Sequence, residues 1–135
     1  MIQLSNLTSQ TLQPGQALRL DGVTLRTKNS RECHNMQSPT TVKLCSTGIY
    51  DISYSGNIAG AAGEPIQLAL ALGGEPLIDT AMNSVSTAEG DLHNIHTEKL
   101  VRNCCCDLDR LSIINTGTNA VTVAQNSVLI IKKYS

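Results

Sequence analysis

Three consecutive cysteines, Cys104, Cys105 and Cys106, come nearest in this chain to a group that could do chemistry. Thiolates hold soft metals, and zinc sites draw ligands two to four residues apart. Adjacent side chains on a strand point to opposite faces, so three in a row cannot ligate one ion from one extended segment. Cys104 and Cys106 share a face and are the metal candidates. In a threefold assembly, one such thiol per subunit could converge on the axis. The competing reading makes all three small buried hydrophobes, a common role of free cysteine. Cys33 and Cys45 bring the total to five. An odd number with three in a row does not describe a secreted disulfide framework, and reduced thiols are expected.

His93, His96 and the Cys33-His34 pair add further ligand types. A spacing of three suits one face of a helix but not one face of a strand. A solvated loop is expected at His93 and His96, with a pH-sensitive contact as the alternative. Cys45 and His34 have no sequence relation that makes them nucleophile and base. No G-x-S-x-G elbow is present. Asp107 and Asp109 stand two apart before a strand, but no D-x-D-x-D-G calcium loop surrounds them. The GAAG run at 60–63 is a surface loop and lacks the form of a phosphate cradle. Neither catalysis nor a cofactor is expected.

The elements that would position these groups are strands. The segment 48–58 (GIYDISYSGNI) puts Tyr50, Ile52 and Tyr54 on one face and Asp51, Ser53 and Ser55 on the other. In 66–72 (IQLALAL) the face of Ile66, Leu68, Leu70 and Leu72 is apolar, and Ala69 and Ala71 share the opposite one. Period-two alternation of this kind marks half-buried strands. The dipeptide Gly73-Gly74 predicts a tight turn into 76–82. Further strands are expected at 16–20 and 23–27, paired as a hairpin around Asp21-Gly22, and at 41–44, 97–103, 109–115, 120–124 and 127–134. Residues 83–98 are expected to be mostly surface loop. The closing strand is apolar on both faces at 128–131, so it should lie inside a sheet with one side available to a subunit contact. Residues 1–10 are polar and are expected to form an arm or an edge strand.

The chain has 135 residues, enough for one domain with its own core. Hydrophobic residues make up 41 %, which excludes a disordered chain. There are three Tyr and no Phe or Trp, so the core must be aliphatic and stacking on sugars or bases is poorly supplied. Net charge is −1 without a basic stripe, which argues against a nucleic-acid partner. No leader pattern opens the chain, and no window is apolar enough for a membrane helix. Cytosolic synthesis without membrane insertion is the expectation.

The order of these strands resembles the jelly-roll domains of the tumour-necrosis-factor and complement-globular-head type, in the manner of bacterial and bacteriophage members. The resemblance rests on Gly-x-Tyr-x-Ile-x-Tyr at 48–54 and on two apolar strands about Gly73-Gly74. It continues with Leu-x-Ile-x-Asn at 111–115 and the closing apolar strand at 128–131. It implies an all-β jelly-roll sandwich of about eight to ten short antiparallel strands, spanning 1–135 as a single domain and packed as a homotrimer. The implied function is a non-enzymatic virion component, a head-decoration or fibre-head module. Its implied partners are copies of itself, capsid or fibre proteins and a host surface. The expected contact residues are Ala69, Ala71, Tyr50, Tyr54, Leu129 and Ile131. A small ligand- or metal-binding lectin-like module is the alternative. A cupin-like enzyme lacks the required histidine and carboxylate set.

Overall fold

The computed structural model describes residues 1–26, 39–44, 48–85, 88, 90–103 and 110–134. Its strands are β1 (Ile2–Ser5), β2 (Gln10–Leu12), β3 (Gly22–Arg26), β4 (Val42–Lys43), β5 (Gly48–Ala59) and β6 (Pro65–Leu72). They continue with β7 (Glu75–Pro76), β8 (Met82–Val85), β9 (His93–Asn103), β10 (Arg110–Asn115), β11 (Val121–Val123) and β12 (Val128–Lys133). One 3-10 turn, Ile78–Thr80, separates β7 from β8.

Two antiparallel sheets face each other. The seven-stranded sheet runs β2-β11-β5-β12-β1-β3, with β9 along the remaining edge of β5. The five-stranded sheet runs β4-β10-β6-β7, with β8 also paired to β6. The core between them is aliphatic apart from Tyr50 and Tyr54, as the composition requires. From the first sheet come Ile2, Leu4, Ile52, Leu129 and Ile131; from the second come Ile66, Leu68, Leu70, Leu111 and Ile113. Removing such side chains from water supplies the main driving force for folding.

Local chemistry explains the turns. Gly73 and Gly74 have φ of 64° and 86°, as a two-residue primed turn demands, and they close the β6–β7 hairpin with Leu72 opposite Glu75. Before β12, Asn126 takes φ 67°, a conformation that asparagine tolerates better than most residues. Asn115 holds the turn at 116–119: its Nδ2 donates to Leu12 O and Asn119 O, and its Oδ1 accepts from Gly117 N.

Four expectations are corrected. Residues 16–20 do not form a hairpin with β3. Leu18 N donates to Ile113 O and Ala17 bridges Ile114, so this segment joins the second sheet while β3 pairs with β1. Asp21 is occupied elsewhere, with its Oδ1 accepting from Leu7 N at 3.0 Å. The N-terminal residues are not an arm, because β1 lies between β12 and β3 with Ile2 and Leu4 wholly buried. The expected strand at 76–82 is divided among β7, the 3-10 turn and the start of β8. Finally, β9 begins at His93, earlier than expected, since it pairs with β5 from Gly48↔Asn103 to Ile58↔His93. Its polar residues are compatible with a strand because one face is open to solvent.

Candidate functional site

The inward face of the seven-stranded sheet is filled, and among the described residues no second layer packs on its outward face. Along β5 the inward residues Tyr50, Ile52 and Tyr54 leave Ile49, Asp51, Ser53 and Ser55 facing out. In the registers, one row crosses β3, β1, β12, β5 and β9 as Leu25, Gln3, Ile130, Ser53 and Glu98. A neighbouring row holds Lys132, Asp51 and Leu100. Leu25 and Leu100 are 49 % and 57 % exposed, while Ile130 and Val128 are half-buried. The middle of this face is apolar or small, and charge lies mainly toward its β9 side and the β12 end. Within it Asp51 is half-buried, and its Oδ1 is enclosed without a hydrogen-bond partner. A carboxylate oxygen shut off from water without a donor is unfavourable.

The contact residues expected from the sequence lie elsewhere. Tyr50, Tyr54, Leu129 and Ile131 are 0 % exposed and belong to the core. Ala69 and Ala71 on β6 are also buried within the single chain. None of the six offers a surface to another subunit. The faces were correctly separated in the sequence, but the wrong one was assigned to the contact. Ser53, Ile130 and Val128 face outward from the same strands instead.

Near the end of the same sheet lies a buried polar knot. Asn6 Oδ1 accepts from Ser127 N at 3.0 Å and from Ser127 Oγ. Asn6 Nδ2 donates to Ala124 O and Thr8 O. These bonds tie the end of β1 to the β11–β12 turn. The Tyr54 hydroxyl is buried and lacks a partner in hydrogen-bond geometry. Burial pushes its phenol up to about 12, against a smaller opposing pull from the neighbouring Ser127 hydroxyl. Across the edge of the sandwich, exposed Asp79 pairs with Lys99, which holds its carboxyl below the usual range.

No group of three or more His, Cys, Asp or Glu side chains comes together to hold a metal ion among the described residues. His93 and His96 lie on β9 rather than in a loop, and their side chains point to opposite faces. His93 Nε2 is 3.7 Å from Asp91 Oδ2, while His96 stands opposite Ser55 on the outward face. Cys33, Cys45, Cys104, Cys105 and Cys106 lie outside the described residues, as do His34, Asp107 and Asp109.

The architecture is the jelly roll that the strand order implied. The structure of Eiger TNF from S. frugiperda superposes with a TM-score of 0.78 at 14 % identity, covering 99 % of this chain and 91 % of that one. The globular domain of zebrafish complement 1qA protein superposes with a TM-score of 0.69 at 7 % identity, covering 99 % of this chain and 96 % of that one. Identity this low establishes a shared fold and nothing finer. No protein-family model and no curated protein sequence matches the chain.

Proposed function

We propose that this chain is a non-enzymatic binding module that works as a homotrimer, assembled through the outward face of its seven-stranded sheet. The observation that carries this reading is the row Leu25, Gln3, Ile130 and Ser53 on the outward face, where uncharged side chains, Leu25 and Ile130 among them, run as far as Glu98 at the β9 edge. The occupant is another copy of the same chain. The shared jelly-roll fold supports this, because the resemblance in sequence implies packing about a threefold axis. A donor from the neighbouring subunit would also satisfy Asp51 Oδ1. The setting that the sequence resemblance supports is a virion, where such a trimer decorates a head or tips a fibre and contacts a capsid protein or host surface.

Replacing Ile130 with Asp tests the assembly surface. Ile130 lies mid-face and outside the core, so the variant should fold while a charge blocks association. The expected result is native circular dichroism with monomer mass by light scattering. An Ile130→Asp protein that keeps the wild-type oligomer removes this face from the proposal. Immunogold labelling of purified particles tests the virion setting, and absence of label from intact particles refutes it.

A further inference from the structure

We infer that a cleft on the five-stranded sheet, remote from the assembly face, binds a neutral saccharide. The cleft has a volume of about 420 Å³, inside the range of small-ligand pockets (roughly 300–1,000 Å³). It lies between the start of β6, strand β8 and the turn after β10. Among the described residues no charged side chain lines it. That excludes the cationic contacts a phosphate or carboxylate ligand would need, and the anionic ones an amine would need.

Hydrogen-bonding capacity is instead neutral and unused. Gln67, Asn83 and Thr118 line the cleft, and their side chains make no hydrogen bond among the described residues. Carboxamides both donate and accept, as hydroxyls do, so this set matches the alternating donors and acceptors of a polyol. Thr116 also lines the cleft, and its Oγ1 is enclosed without a partner. Pro65 and Val85, paired across β6 and β8, supply an apolar wall, with Val85 55 % exposed. Such a wall suits the C–H face of a pyranose ring. No aromatic ring is present to stack a nucleobase.

The site is built in advance of any ligand. Asn115 clamps the 116–119 turn from below, and Asn119 Nδ2 donates to Pro65 O at 2.9 Å across the rim. Thr116 N donates to Gln67 O, fixing the turn against β6. Preorganisation of this kind lowers the entropic cost of binding.

Full-length protein should be screened on immobilised neutral oligosaccharides ending in galactose, glucose, mannose or N-acetylglucosamine, beside sialylated and sulfated ones and unrelated neutral peptides. The free form of the best sugar is then titrated by calorimetry. We expect a neutral sugar to bind, and Asn83→Ala and Gln67→Ala each to weaken it about tenfold, the effect of roughly one lost hydrogen bond. Thr11→Ala, on the other sheet, should leave affinity unchanged. Circular dichroism and solution mass establish that each variant is folded and assembled as wild type, which separates failure of this site from failure of the assembly. The inference is overturned if only anionic sugars or peptides bind, if nothing on the panel binds, or if both cleft variants retain wild-type affinity.

Discussion

Replacing Tyr54 with Phe removes a single oxygen from the centre of the molecule, and the structure fixes what should follow. Tyr54 is 0 % exposed, pairs with Leu129 and Thr97 across β5, and presents a hydroxyl without a hydrogen-bond partner. Near neutral pH the variant loses at most a poorly aligned contact with the Ser127 hydroxyl and sheds a buried polar atom. It should therefore be as stable as wild type or more stable by up to about 1 kcal/mol. The alkaline limb is more diagnostic. The phenol is raised from 10.0 to about 12 in the folded chain. Between these values the unfolded chain has released its proton while the folded chain retains it. Stability is therefore complete below pH 10 and falls as pH rises toward 12. A shift of this size corresponds to about 3 kcal/mol. Urea unfolding of wild type and Tyr54→Phe at pH 7, 9, 10, 11 and 12 reads this directly, because the other titrating groups are common to both proteins. Wild type should lose about 2–3 kcal/mol more than the variant between pH 9 and pH 12. Parallel pH profiles, or a loss above about 1 kcal/mol in Tyr54→Phe at pH 7, would refute the buried, unpartnered placement of this hydroxyl.

Other substitutions test neighbouring parts of the account. A Cβ on Gly56 would stand 2.6 Å from Ser127 Cβ and 3.2 Å from the Tyr54 hydroxyl, so Gly56→Ala should destabilise by about 1–3 kcal/mol in urea unfolding. Asn6→Ala abandons Ser127 N, Ser127 Oγ and the Ala124 carbonyl in a buried setting, and a loss of about 2–4 kcal/mol is expected by the same assay. Gly73→Val forces a β-branched residue to φ 64° at the hairpin turn and should lower the melting temperature, whereas Gly117→Ala, where a Cβ meets nothing nearer than 3.4 Å, should leave it almost unchanged. Mixing reductant or chelator with the purified protein tests the thiols: a metal held at Cys104 or Cys106 predicts loss of assembly with chelator, and structural thiols predict no change.

Much of the fold was legible because alternation is unambiguous where one face is polar. On β5, the Tyr and Ile of one face against the Asp and Ser of the other separate inside from outside without tertiary information. Gly73-Gly74 gave away its turn because few residues other than glycine accept two successive positive φ values. The outward-facing residues were harder to identify. On β12 both faces are apolar, so pattern alone could not tell that Leu129 and Ile131 point inward while Val128 and Ile130 point outward. Ala69 and Ala71 are small enough to sit on either side of a sheet, and only the surrounding chain shows them covered. The partner of 16–20 was hidden for another reason. Its alternation was real, with Leu18 and Leu20 buried, but strand pairing is a long-range choice, and this segment crosses to β10. The cleft between β6, β8 and the 116–119 turn draws on three separate stretches of sequence, none of which carries a motif by itself.

In the proposed assembly the outward face of the seven-stranded sheet joins three copies of the chain. Light scattering coupled to size exclusion measures this most directly, on wild type and on Ile130→Asp at matched concentrations. Wild type should measure about 43 kDa, three times the 14.4 kDa chain, and the folded variant about 14 kDa. A wild-type protein that remains near 14.4 kDa at every concentration tested would contradict it.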